Sequence, residues 1–275
     1  MNPNAQHRTS VYEMIRSLLR HRSLILDMTK REVIGRYRGS ILGIAWSFFN
    51  PLIMLCVYTV VFSTIFKAKW GVGSDSKTEF ALVLFIGMIV HGVLAESMNN
   101  SPALMLRNIS YVKKVVFPLE ILPWVVMGST MFHAFISLVV WSLFYVVVNQ
   151  SAQWTVVFLP FVFLPLILFS LGVSWMLASL GVFIRDIGQM TGVITTVLLF
   201  LSPIFYPASA LPEPYQSIIY LNPLTFVIEQ ARDVLMWGSL PNWHGLMVAT
   251  IISLATAWVG FFWFQKTRHG FSDVL

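Results

Sequence analysis

The chain has 275 residues, 57% of them hydrophobic and only 11% charged, and its mean hydropathy is +0.74. A soluble domain carries roughly a quarter charged residues; with so few, this chain cannot cover a globule in water, and the bilayer is its expected solvent. The net charge of +6 invites a nucleic-acid reading, but residues 1–40 hold eight Lys/Arg against three acids, so +5 of the excess lies in one segment beside a span, with no nucleic-acid fold signature.

Residues 1–40 form an expected cytoplasmic or interfacial arm. Ser10 and Glu13 make a capping box, and Val11, Met14, Ile15, Leu18 and Leu19 recur at helical spacing with Arg16, Arg20 and Arg22 mostly off that stripe. Such a helix lies in the membrane interface or docks on a partner subunit, and the two readings are compatible. From Arg31 to Pro51 the chain reads R-E-V-I-G-R-Y-R-G-S-I-L-G-I-A-W-S-F-F-N-P, basic first and uncharged after. This junction marks where the arm becomes a span, and Arg31, Arg36, Tyr37, Arg38, Gly39, Gly43 and Trp46 make it a hinge or an anchor. The first long apolar run starts near residue 41, too far in for a signal sequence, so no cleavable signal peptide is expected.

A spanning helix needs about 20 predominantly apolar residues. Six such runs are read, at about 41–66, 80–96, 118–148, 154–184, 187–206 and 245–264, with a cytoplasmic tail at 265–275. An even number places both termini on one side. With the termini in the cytoplasm, fourteen Lys/Arg fall inside and four outside (Lys67, Lys69, Lys77 and Arg232), as the positive-inside rule requires. Trp70, Trp154, Trp243 and Trp263 fall near span ends, where indoles favour the interface. The segment 207–243 is apolar yet full of breakers (Pro207, Pro212, Pro214, Pro223, Gly238, Pro241). Its pieces are too short to span, so two short helices re-entering the outer leaflet are expected, the alternative being an extracytoplasmic loop with one surface helix. The expected fold class is therefore all-α integral membrane, with six transmembrane helices, an amphipathic interfacial arm and re-entrant helices between spans five and six.

Several chemistries are missing from the sequence. It has no G-x-x-x-x-G-K-[ST] loop for nucleotide phosphates, no H-E-x-x-H, no G-x-S-x-G, and six scattered histidines without an i, i+4 pair. The single cysteine, Cys56, excludes an intramolecular disulfide and reads as a small packing residue. Glu96 and Glu120 fall at the cytoplasmic edges of spans two and three, so no carboxylate pair stands at the midplane to couple an ion gradient. A transporter of this kind draws its energy from elsewhere. No acidic or histidine cluster supports a membrane-embedded transferase, and a purely structural subunit has no use for re-entrant helices.

The Arg31–Pro51 string, L-G-V-F-I-R-D-I-G-Q-M (Leu180–Met190) leading into L-S-P-I-F-Y-P (Leu201–Pro207), and Y-L-N-P-L-T (Tyr220–Thr225) together resemble the membrane subunits of type-2 ABC exporters, in their polysaccharide-export branch and most closely its O-antigen members. The likeness covers nearly the whole chain. It implies a homodimer of permeases in the bacterial inner membrane joined to two separate ATP-binding subunits, which hold the ATP and Mg²⁺ while this chain holds no cofactor or metal. The substrate it implies is a lipid-linked polysaccharide; capsular polysaccharide and teichoic acid exporters share the architecture, and a small-molecule or drug exporter is the remaining alternative.

The resemblance implies that residues 101–117 take force from the ATPase through Pro102, Leu104, Leu106, Arg107 and Tyr111, the plainer reading being a positive-inside loop. Arg185 and Asp186 are either a second contact with the ATPase or a topology anchor. Asn50 and Pro51 kink the first span, as shape or as a gate. Tyr58, Phe62 and Phe66 recur four apart, and Phe200, Phe205 and Tyr206 cluster at the outer end of span five; such rings line a sugar channel or merely pack helices. Glu229 and Arg232, three apart, form an outer gate or a local staple.

Overall fold

The computed structural model describes residues 9–62, 70, 77–113 and 117–275, and the regular structure within them is helical. In chain order the helices are α1 (Val11–Arg20), α2 (Arg22–Arg36), α3 (Trp46–Val60), α4 (Lys77–Asn100), α5 (Leu104–Arg107), α6 (Ile109–Val112), α7 (Leu122–Asn149), α8 (Leu159–Phe183), α9 (Ile187–Leu201), α10 (Glu213–Tyr220), α11 (Pro223–Arg232), α12 (Trp243–Thr267) and α13 (Phe271–Val274).

The arm is two helices, parted at His21. Ser10 Oγ accepts from the Glu13 amide at 3.2 Å and so starts α1. Met14 is buried in the bundle while Ile15 and Leu19 stay exposed, so the apolar stripe is shared between the protein and its surroundings. Ile25 of α2 packs with Ile121 and Val125 at the start of α7. Trp258 Nε1 donates to the Thr9 carbonyl at 3.0 Å and ties the arm to α12. Between the arm and α3 the chain turns through Gly39 and Gly43, whose φ values of +86° and +53° would strain any other side chain. Helix α3 then continues through Pro51, with the amide that proline lacks subtracting one bond to the Ser47 carbonyl.

Helix α4 is the axis of the bundle. Every residue from Phe80 to Ile86 is at most 4% exposed, as a helix apolar on all faces must be. Around it stand α3, α7, α8, α9 and α11. Trp141 Nε1 of α7 donates to the Leu82 carbonyl at 3.0 Å, and His91 Nε2 of α4 lies 2.9 Å from the Thr195 carbonyl of α9. Helices α8 and α12 pack along each other, with the Trp175 and Phe261 rings 5.3 Å apart.

Among the described residues, five helices are long and apolar enough to cross a membrane, spanning Gly43–Val60, Thr78–Asn100, Leu119–Asn149, Trp154–Phe183 and Trp243–Val274. The expected fifth of six spans, 187–206, is only partly helical. Helix α9 has 15 residues, and Ser202 turns extended ahead of Pro203. At 1.5 Å per residue it covers about 22 Å, short of a hydrocarbon core of about 30 Å. The segment 207–243 contains two short helices, α10 and α11, the latter running into a π turn at Asp233–Trp237 that ends on Gly238. The tail folds back: Phe271 is fully buried against Phe264 and beside Phe183.

Candidate functional site

Functional candidates gather at the two ends of the bundle. At one end a cluster is built on the carboxylate of Glu96, near the end of α4. His133 Nδ1 of α7 lies 2.9 Å from Glu96 Oε1, and Arg36 Nη1, at the end of α2, is paired with the same oxygen. The arm, α4 and α7 thus converge on one group. Tyr37 sits edge-on to the His133 ring at 6.1 Å, and burial pushes its phenol up, so it stays protonated. Arg31 and Arg38 are exposed, and Trp46 is half-buried where α3 begins.

Arg36 and Glu96 form the wall between two cavities. The larger, about 330 Å³, is lined by Tyr37, Asn50, Pro51, Tyr58, Thr130 and His133, and the smaller, about 180 Å³, by Glu32, Asn100, Arg107 and Ser129. Thr130 Oγ1 and His133 Nε2 are buried with no hydrogen-bond partner, so the larger cavity calls for a polar occupant such as water. Of the hinge residues, Arg36 and Tyr37 border these two adjoining cavities, together with Asn50–Pro51 and Arg107.

The segment after α4 is fixed from within. Ser101 Oγ donates to the Ser97 carbonyl at 2.6 Å, and Asn108 Nδ2 to the Leu104 carbonyl at 2.8 Å. Pro102 is buried, and a Cβ placed at Gly181 of α8 would collide with its carbonyl. Leu104 is buried as well, so of the residues expected to meet a partner only Leu106, Arg107 and Tyr111 keep open surface, next to exposed Ser110 and Lys113. Tyr111 stacks on Phe117 at 4.4 Å. Arg185 and Asp186 are exposed in the turn before α9, whose Gly188 approaches Pro102.

Sequence reading gave no role to the pair that closes this end. Arg268, in the tail, donates to Glu120 Oε2 at 2.7 Å and to the Phe117 carbonyl at 3.0 Å. Nor did it single out His133 and Glu96 as a site, although Glu96 is the acid that ends an otherwise uncharged run, which was the available signal.

At the other end, aromatic residues at and just past the end of α3 meet those at and just past the end of α9. Tyr58 and Phe62 are 6.5 Å apart, Phe62 and Phe205 6.1 Å, and Phe205 stacks on Phe200 at 5.8 Å. Tyr206 donates its hydroxyl to the Phe200 carbonyl at 3.0 Å. Phe66 lies outside the described residues. Arg232 is only 4% exposed, and it does not bridge to Glu229. Its guanidinium donates from Nε to Val83 O (3.2 Å), from Nη1 to Pro203 O (2.7 Å) and from Nη2 to Ile204 O (3.1 Å), and its Cζ stands 4.3 Å from the centroid of the Trp70 ring. Two of those carbonyls belong to the non-helical stretch just after α9, so Arg232 pins that stretch to α4. Glu229 instead accepts from the Tyr220 hydroxyl at 3.2 Å, and Asp233 from Gln230 Nε2 at 2.9 Å.

An all-helical bundle in which, among the described residues, five helices are long and apolar enough to cross a membrane is the architecture of an integral membrane protein. The chain belongs to the ABC-2 type transporter family, whose model matches residues 23–236. It is similar to the O-antigen export system permease protein RfbA of Myxococcus xanthus, at 26% identity over 262 residues, covering 94% of this chain and 98% of that protein. A protein of the same name from Klebsiella pneumoniae is 27% identical over 254 residues, covering 92% and 95%. The polysialic acid transport protein KpsM of Escherichia coli is 22% identical over 235 residues, covering 84% and 88%.

Proposed function

We propose that this chain is the permease subunit of an ATP-driven exporter that carries lipid-linked polysaccharide of the O-antigen kind across the bacterial inner membrane. The observation that carries this reading is end-to-end likeness to O-antigen export permeases, over more than nine-tenths of both partners. Substrate is moved, not chemically changed. Two copies enclose the path, and two separate ATP-binding subunits bind the ATP and Mg²⁺ whose hydrolysis drives it. The exposed apolar faces of α3 (Ile53, Val57, Val60) and α9 (Val193, Val197, Phe200) suit a second copy or lipid.

In this reading both termini are cytoplasmic and α9 is the short fifth of six crossings, completed by α10 and α11 dipping back from the outer side. The three units are the arm at 1–40, the membrane domain at 41–264 and the tail at 265–275. Leu106, Arg107 and Tyr111 receive force from the ATPase, with Arg185 and Asp186 beside them. The Arg36–Glu96–His133 cluster passes that displacement to the hinge and to Asn50–Pro51, which the shared cavity wall supports. Tyr58, Phe62 and Phe205 offer sliding contacts to sugar rings. A capsule-type polymer is the second reading, favoured by the likeness to the polysialic acid transporter.

Deletion tests the proposal. Lipid-linked polymer should accumulate in the cytoplasm and return to the surface on complementation; unaltered surface glycan in the deletion strain would refute it.

A further inference from the structure

A cavity of about 550 Å³ is walled by α8, α12 and the α10–α11 pair, and the transport reading gives it no role. Its size is that of a small-ligand pocket. Of its sixteen lining residues only Tyr220, Asn222, His244 and Ser253 carry polar side chains. Tyr220 and Asn222 already spend polar atoms on Glu229, and on Ser202 and Leu224. The hollow follows from small residues one turn apart on α12. At Gly245 a Cβ would stand 2.6 Å from the Phe226 ring, and Ala249 leaves room that a longer side chain would fill.

Two features bear on its occupant. The first is where it opens. At its edge Leu221, Ile252 and Val248 are 82%, 60% and 42% exposed, and the last two continue the exposed apolar surface that α12 presents through Met247 and Ile251. That surface belongs to a helix long and apolar enough to cross a membrane, so the cavity opens sideways onto hydrocarbon. The second is its depth. Along α12 it runs from His244, next to Trp243 at the helix start, to Ser253. Those nine steps of about 1.5 Å cover about 14 Å, and half of a hydrocarbon core of about 30 Å is about 15 Å. The cavity is as deep as one leaflet, and its histidine lies at the end where an indole suits the interface.

An apolar cavity stays dry, and an empty one forfeits dispersion contacts along its whole lining. We infer that this cavity seats an acyl chain of a resident phospholipid, drawn from the leaflet at the α10–α11 end of the bundle, and that the chain props the two short helices against α8 and α12. The walls lie on α8, α10, α11 and α12, not on α3 or α9, whose exposed faces the export reading offers to the second copy. The occupant is therefore a lipid of the bilayer and not the carrier of the cargo. The inference needs the membrane-crossing helices and not the identity of what is exported.

The test is native mass spectrometry of the full-length chain, stripped of lipid in detergent and reloaded with palmitoyl-oleoyl phosphatidylethanolamine or, separately, with a polyprenyl phosphate. The wild type should keep the phospholipid in preference to the polyprenyl phosphate. Its unfolding midpoint should rise on loading, as it does when a ligand binds the folded state alone. Ala249→Phe puts a ring into the cavity and Val248→Phe puts one at its opening; each should lower retention about tenfold and abolish the rise. Ile251→Phe, on the same helix but off the cavity, should behave as the wild type, which separates a seated chain from lipid lying loosely around the bundle. Val248 and Ile251 are exposed, so these two variants should fold even if Ala249→Phe does not. No retention by the wild type, undiminished retention by Val248→Phe, equal loss in Ile251→Phe, or preference for the polyprenyl phosphate would each overturn the inference. None of these outcomes bears on the export reading, which the surface glycan of the deletion strain decides.

Discussion

Arg268 Nη1 donates to Glu120 Oε2 at 2.7 Å and joins positions 148 residues apart in the chain. The Glu120 carbonyl accepts from Trp175 Nε1 at 3.0 Å, and the Phe117 carbonyl takes a second bond from Arg268. The tail, α8, the start of α7 and the stacked Tyr111–Phe117 pair therefore meet at one knot. The two side chains are 6% and 15% exposed, so the charges are largely desolvated. Removing one partner of such a pair costs about 3–5 kcal/mol, because the other charge is left buried alone. Glu120→Gln and Arg268→Met should each lower the thermal unfolding midpoint of the purified chain. The double variant Glu120→Met/Arg268→Met should lose less than the sum of the two.

Arg232 gives a second, separable prediction. It fills three carbonyl acceptors with one planar fork, which a lysine's point charge cannot copy. Each buried acceptor left unsatisfied costs about 1–3 kcal/mol. Arg232→Met and Arg232→Lys should both destabilise, and Lys should recover little. Glu229→Gln should leave the unfolding midpoint nearly unchanged, since no ion pair joins the two. Thermal unfolding of the three variants side by side decides this.

The same residues show what a linear reading reaches. The start of α1 was legible because Ser10 and Glu13 act on the backbone next to them, and the breaker-rich stretch after α9 was legible because closely spaced prolines and Gly238 leave no room for a long helix, whereas the lone Pro51 is carried inside α3. The division of the arm at His21 was not, for no breaker marks it. An i, i+3 pair such as Glu229–Arg232 is worth only a few tenths of a kcal/mol. It gives way to the carbonyls of Val83, Pro203 and Ile204, a tertiary fact with no local trace. Leu104 likewise reads as a docking residue from the resemblance, and its burial is set by α8. Glu120 and Arg268 each carry the plain signature of a cytoplasmic edge, and nothing in either segment names the other.

Gly181→Ala should separate close packing from coupling. Its Cβ would land on the Pro102 carbonyl, so α8 and the residues leading into α5 must part. Overpacking of this kind costs about 1–3 kcal/mol. The expected result is a lowered unfolding midpoint together with reduced export. Gly188→Ala, whose Cβ would sit 3.9 Å from the Pro102 Cβ, should be tolerated on both measures.

Glu96 is where the arm is held, so Glu96→Gln should loosen it without unfolding the bundle. A hydrogen bond to a charged group contributes about 1.5–3 kcal/mol. Losing it at the Arg36 contact should raise trypsin cleavage after Arg36 or Arg38 by about tenfold or more, provided opening is fast relative to cleavage. Glu32→Gln, an exposed acid on the same helix with no ion pair among the described residues, should leave the cleavage rate unchanged.

The coupling reading stands or falls on the surface that α5 and α6 leave open. Arg107 is exposed and Tyr111 half-buried, while Pro102 and Leu104 face inward. Charge reversal and ring removal should therefore act on a partner more than on the fold. Truncation of interface anchors commonly costs 1–2 kcal/mol or more, so Arg107→Glu/Tyr111→Ala should weaken co-purification with the ATP-binding subunit by about tenfold or more. Arg107→Glu alone should keep the unfolding midpoint of the parent chain, which guards against a folding defect. The double variant would be expected to lose export in proportion to its lost ATPase partner. Full assembly and full export by that variant would remove α5 and α6 from the coupling path.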